Sequence, residues 1–292
     1  MGVIYLLCVA LLFSFGGTCA KTIGPYFRSE YISFFRFAVG VLFLFLLKLL
    51  KRHHFAKDYR QQLRSYGGWL LFGAAGKAVS YLTENYALTH GVSYGNILTQ
   101  PAQLLFLTFL SVVVLKEKLT GRKALFLIPC VAGVLLVSWN GRALSDYLSG
   151  GLLLTCMYLI SGMGSGCHIF AQKKLNGKMD IIDSNITMFT VSALITFVPT
   201  VPLTAAGAIE GVSPSLACIG AIALFGFITG IGFYLNAKAI PLVPLYMVPL
   251  IQCTMVIFAI LWGVLFFHEP LTGYLIVGAV LFVSGIVGVQ IA

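Results

Sequence analysis

Charge is scarce in this chain. Only 10% of its 292 residues are Asp, Glu, Lys or Arg, and just nine are acidic. A soluble domain of ordinary composition carries about 25% charged residues. A fold of this length would lack the polar surface needed to stay in water. Signatures of several chemistries are also missing. No Gly-x4-Gly-Lys-Ser/Thr phosphate loop occurs, so ATP is not expected to drive the protein directly. There is no His-Glu-x-x-His and no Cys-x-x-Cys, which removes the common zinc signatures. The seven cysteines lie in or beside apolar runs and read as small buried hydrophobes.

What the chain does have is apolar sequence: 59% of residues are hydrophobic and the mean hydropathy is +0.96. A membrane-spanning helix takes roughly 20 residues and a short connection about 4–6 more. That spacing predicts an all-α membrane protein of ten transmembrane helices. They are expected near residues 3–20, 31–50, 67–88, 93–114, 121–139, 151–172, 184–205, 214–236, 243–266 and 271–291. Gly24-Pro25, Pro214, Pro241, Pro244 and Pro270 punctuate the runs. Only 48–66 reads as a real loop, polar and basic. The run Val3–Phe15 could belong to a cleaved leader, but no Lys or Arg precedes it. The first span is expected to be kept.

The net charge is +10, from 19 Lys and Arg. In a soluble domain that excess would suggest nucleic acid. Here it sorts by topology instead. With the N-terminus cytoplasmic, fourteen Lys and Arg fall in inner loops and three (Lys21, Arg28, Arg142) in outer ones. Arg36 and Lys77 lie within spans. The positive-inside rule favours that orientation, with both termini cytoplasmic and no nucleic-acid partner. A bacterial plasma membrane is the expected location.

The chain also repeats itself. Glu117-Lys118-Leu119-Thr120-Gly121 recurs as Glu269-Pro270-Leu271-Thr272-Gly273, 152 residues on. The same offset pairs Phe37 with Phe189, Ala87 with Ala239, Gln100 with Gln252 and Lys21 with Lys173. Residues 1–145 and 146–292 are therefore expected to be two five-helix repeats. Because five is odd, the repeats must be inverted relative to each other, an arrangement suited to transport.

The Glu-x-Leu-Thr before an apolar span in each half resembles the EamA-type members of the drug/metabolite transporter superfamily. Arg36, Asn85-Tyr86-Ala87-Leu88 and Pro101 fit that pattern. The resemblance extends over 3–291. It implies a ten-helix bundle of two inverted repeats around a central cavity that takes a small metabolite. The halves are not equivalent: Cys253 stands at the position matching Pro101, and Met188 at the position matching Arg36.

Ionisable groups within a span cost roughly 2.5–3.5 kcal/mol at the helix centre and face a cavity or a partner. Arg36 and Glu84 lie at similar predicted depths and are candidates for an ion pair or gate. Glu84 reads as the only mid-span carboxylate. Lys77 is seven residues before Glu84 on one helical face and is the candidate receptor for an anionic substrate group. Tyr81, Tyr94, Asn96, Gln100, Gln103, Tyr234, Tyr246 and Gln252 are further candidate substrate contacts, with Gln100 and Gln252 on opposed walls. Gly162, Gly164 and Gly166 would allow close helix approach. Glu117 and Glu269 read as helix-end electrostatics, with Thr120 and Thr272 as N-caps. Trp69, Trp139 and Trp262 read as interface anchors. No metal site and no cofactor are expected.

The expected function is a secondary transporter, a permease or exporter of a small polar or amphipathic metabolite such as an amino acid, working by alternating access. A proton or sodium gradient, or substrate exchange, would drive it. Its partners are the solute and the lipid bilayer. A membrane-embedded lipid flippase or enzyme is the alternative reading. No catalytic residue set is found.

Overall fold

The computed structural model of this chain describes residues 1–52, 55–93, 95–114, 121–141, 143–239, 242, 251 and 254–291. Every regular element among the described residues is a helix. The first half contains α1 (Gly2–Ser14), α2 (Gly16–Ile23), α3 (Ser29–Leu50), α4 (Tyr59–His90), α5 (Thr99–Val114) and α6 (Gly121–Trp139). After the short turn α7 (Leu144–Asp146) come α8 (Leu152–Leu175), α9 (Ile181–Phe197), α10 (Thr200–Ala205), α11 (Leu216–Phe227) and α12 (Phe233–Ala239). The described part ends with α13 (Thr254–Phe267) and α14 (Gly273–Ile291). Among the described residues, four stretches are long and apolar enough to cross a bilayer: Gly2–Ile23, Ser29–Leu50, Leu152–Leu175 and Leu216–Ala239. A helix satisfies its own backbone, which lipid cannot do. This is an integral membrane protein.

Two spans are interrupted. Phe15 breaks the first into α1 and α2, and the indole of Trp262 covers the break. Its Nε1–H donates to Ser14 Oγ at 2.8 Å, and its ring stacks on Phe15 at 4.7 Å. Trp262 is thus an internal brace rather than an interface anchor. The second break is a π-helical turn, Ile228–Gly232, between α11 and α12. Turns of this kind recur at functional sites.

The polar stretch expected as a loop over 48–66 is mostly helix. α3 continues to Leu50 and α4 already begins at Tyr59. The reason is periodicity within a polar segment. Tyr59, Leu63, Tyr66 and Leu70 recur at helical spacing and pack with Leu175 and Met179. Lys48, expected in a solvated loop, is buried and ion-paired to Asp183 at the start of α9. Asp180 caps α9, its carboxylate accepting from the N–H groups of Ile182 and Asp183. Asp183 is therefore a second buried carboxylate that composition did not separate from the loop.

Glu269 also does more than face a helix end. It is 8% exposed and accepts from Lys21 Nζ at 2.5 Å, from the Ser93 N–H at 2.8 Å and from the Ser93 hydroxyl at 2.8 Å. One second-half carboxylate thereby holds two first-half segments. Thr272 does act as expected, accepting from the Leu275 N–H at 3.2 Å. Glu117 and Thr120 lie outside the described residues.

Helix packing obeys the repeat. α3 lies on α9 and α6 on α14, each pair being one helix and its own counterpart 152 residues later. α4 packs on α8 while α12 packs on α1. α5 packs on α8 while α13 packs on α1. α3 meets α11 while α4 meets α9. Each of these contacts is exchanged for its partner by the same offset, the pattern a pseudo-two-fold relation between the halves gives. The largest buried apolar cluster joins both halves, bringing Ile23, Ile32 and Leu88 together with Phe225, Val256 and Phe282.

Candidate functional site

The site begins with the seam between α4 and α8. Their backbones approach closely because each carries glycine at the contact, Gly76 and Gly164. A Cβ on Gly164 would sit 2.4 Å from the carbonyl oxygen of Gly76, and on the α5 side of α8 one on Gly162 would sit 2.4 Å from that of Thr99. Only glycine tolerates either contact. This approach places the hydroxyls of α8 directly against the polar face of α4. Lys77 Nζ donates to Ser165 Oγ at 2.9 Å, Ser80 and Ser161 share a hydrogen bond of 3.0 Å, and Ser161 Oγ donates to Glu84 at 3.4 Å. The order runs oppositely along the two helices, as antiparallel neighbours require.

α3 adds the third charge. Arg36 Nη1 lies 3.7 Å from Glu84 Oε1, an ion pair longer than a hydrogen bond. Its Nε–H donates to Thr229 Oγ1 at 3.1 Å, inside the π-helical turn. The guanidinium lies 3.3 Å from the ring centroid of Tyr81 and 4.1 Å from that of Phe225. A planar, weakly hydrated cation suits such stacking. Lys77 Nζ in turn lies 4.2 Å from the Tyr81 centroid and 4.8 Å from that of Phe233.

Beside this cluster lies a cavity of about 70 Å³ between the halves. Arg36, Lys77, Tyr81, Glu84, Gln100 and Gln103 all contribute to it. With Asn96, seven of the predicted positions are thus brought together. Tyr234 is placed differently: its hydroxyl accepts from Lys51, and its neighbour Phe233 lines the cavity. Successive residues on a helix are turned by about 100°, so one residue of register separates the two. Tyr94, Tyr246 and Gln252 lie outside the described residues. Asn96, also expected there, lines the cavity, which further gains Ser161, Ser165, Thr99 and Asn236. A signal for Asn236 was present in the repeat: the 152 offset maps Glu84 to Asn236, Tyr81 to Phe233 and Lys77 to Thr229.

The three ionisable groups leave one excess positive charge. Arg36 Nη1 and Asn96 Oδ1 are buried with no hydrogen-bond partner among the described residues. Buried polar atoms usually have partners, so the pair supplies one open donor and one open acceptor beside the cavity. The arrangement can hold an anionic group near Arg36 and Lys77 and a donor near Glu84 and Asn96.

His168 is fully buried, stacked at 5.6 Å on Phe189 and edge-on at 5.6 Å to Phe233. It supports the back of the Phe233 ring rather than lining the cavity.

Comparison with known proteins bears on family and fold. The model of the EamA-like transporter family matches residues 1–139 and again 152–291. A solved structure described only as a crystal structure of a protein has the same fold. Its TM-score is 0.69 at 14% identity, with 99% of this chain and 96% of that chain covered. No curated protein matches.

Proposed function

The chain belongs to the EamA-like transporter family, and from that premise we propose that it is a secondary transporter of a small amphipathic zwitterion, an amino acid being the best fit. The carrying observation is the Arg36, Lys77 and Glu84 cluster at a cavity between two repeat-related halves. Two cations and one carboxylate complement a solute that brings a carboxylate and an ammonium. In this reading ten helices cross the plasma membrane as two inverted five-helix repeats, 1–145 and 146–292, with both termini cytoplasmic. The pseudo-two-fold packing supports it, because two interchangeable halves can open a shared site to either side.

The cavity is small beside the roughly 300–1,000 Å³ of typical ligand pockets. It corresponds to a contracted state, and solute entry requires the halves to part. Arg36 and Lys77 take the solute carboxylate, while Glu84 and Asn96 take its ammonium. Arg36 then exchanges a long contact with Glu84 for a close one with the solute. Movement is driven by a proton or sodium gradient or by exchange.

The test is counterflow of labelled amino acids in liposomes containing the purified protein. The intact chain is expected to accumulate label above protein-free liposomes. Lys77→Ala is expected to lower that accumulation at least about tenfold, the scale of one lost charge-assisted contact, at equal yield and melting temperature. Equal loss of yield and transport, or full transport by the variant, would overturn the assignment of Lys77.

A further inference from the structure

The walls of the cavity differ chemically. α3, α4, α5 and α8 contribute Arg36, Lys77, Glu84, Gln100 and Ser165, with Ile169 as an apolar exception. The facing side is made by α1, α12 and α13. It contributes Ala10, Phe13, Phe233 and Met255, with Asn236 as the polar exception. The apolar side is a contiguous unit. α1 packs on both α12 and α13, and the Phe13 and Phe233 rings lie 5.1 Å apart. Phe233 is also the ring that meets Lys77 Nζ at 4.8 Å. The change from cationic to apolar lining therefore occurs across a single side chain.

The repeat explains why the charges sit on one side. The 152 offset maps Arg36, Lys77 and Glu84 to Met188, Thr229 and Asn236, and Gln103 to Met255. Two similar halves thus make one polar and one largely apolar wall. A solute anchored by its charged end at Lys77 must run its remaining part along Phe233 toward Phe13 and Met255.

Resting on the transporter reading above, we infer that Phe13, Phe233 and Met255 form a side-chain subsite. It selects zwitterions whose uncharged part is small and aliphatic, and Met255 and Ala10 set the size it accepts. A charged side chain would lose its hydration against these groups without a partner. Ala10 is 1% exposed, so any enlargement there intrudes on the cavity lining. Met255 is unbranched and adaptable, and its truncation creates room. A methylene's worth of fit in an apolar pocket changes discrimination roughly 10–200-fold.

The test uses the full chain in liposomes and labelled L-alanine, L-valine, L-phenylalanine and L-glutamate, with rates taken as ratios within each variant. The intact protein is expected to prefer valine to glutamate by about tenfold or more. Met255→Ala should raise the phenylalanine-to-valine ratio about tenfold, and Ala10→Val should lower the valine-to-alanine ratio by a similar factor. Ratios within twofold of the intact protein in variants that still move alanine would overturn the subsite, as would a preference for glutamate. If Met255→Ala does not fold, the Ala10→Val ratio decides alone. Failure of the intact protein to move any of the four sinks the transporter reading itself, a different result from unmoved ratios.

Discussion

Replacing Lys48 should expose how much of this fold depends on one buried ion pair. The Lys48 and Asp183 side chains are 6% and 2% exposed, at the facing ends of α3 and α9. Among the described residues Asp183 has one further donor, the Ala56 N–H at 3.4 Å. Lys48→Met leaves a buried carboxylate with that single long contact. Stranding one partner of a buried pair costs about 3–5 kcal/mol. Asp183→Asn should cost less, about 2–3 kcal/mol. The ammonium it leaves still lies 3.4 Å from the Phe55 ring centroid, a contact that itself stabilises, and its flexible stem can reach toward water. The double variant Lys48→Met with Asp183→Leu removes both charges and should recover most of the loss, because an apolar pair of similar volume avoids desolvation altogether. At about 2–4 °C per kcal/mol, Lys48→Met should melt roughly 6–20 °C below the intact protein. The assay is thermal unfolding of the purified protein in one detergent, followed by intrinsic fluorescence. A single variant within 2 °C of the intact protein, or a double variant no better than Lys48→Met, would refute the argument that desolvation dominates here.

Two further outcomes follow from the packing and from the junction between halves. Gly164→Ala places a Cβ 2.4 Å from the Gly76 carbonyl, so it should cost about 1–3 kcal/mol by overpacking, whereas Gly220→Ala, with nothing within 4 Å, should be neutral or stabilising; melting temperatures of the two compare them directly. Glu269→Gln keeps an acceptor for the Ser93 N–H but loses the charge that Lys21 meets, and because Lys21 is 23% exposed the loss should be about 1–2 kcal/mol. Lys21→Met should then add little to Glu269→Gln, and fully additive losses in the double variant would show that the two do not act through each other.

The site was partly legible in the sequence for a stated physical reason. A charge in an apolar run is costly, so Arg36, Lys77 and Glu84 stood out against their surroundings, and the structure gathers all three at one cavity. Lys48 and Asp183 are buried too, but they lie where apolar runs end. There the same residue types also occur in solvated loops, so composition did not mark them. Tyr234 and Phe233 illustrate another limit. Both are aromatic and adjacent, and only the rotation of α12 decides which of them lines the cavity.

The amino-acid sequence alone determined that the chain enters a membrane, that it is all helical and that it is doubled. Those properties follow from hydropathy, helix length and a fixed offset, which are local or periodic and need no knowledge of neighbours. Tertiary structure decided the rest. It brought Arg36 between Tyr81 and Phe225, set Thr229 of the π-helical turn against it, and put the polar wall opposite Phe13, Phe233 and Met255. These juxtapositions join residues up to 245 positions apart, as Ala10 and Met255 show. Their geometry depends on how closely glycine-lined helices approach and how each helix is turned, and linear spacing carries neither quantity.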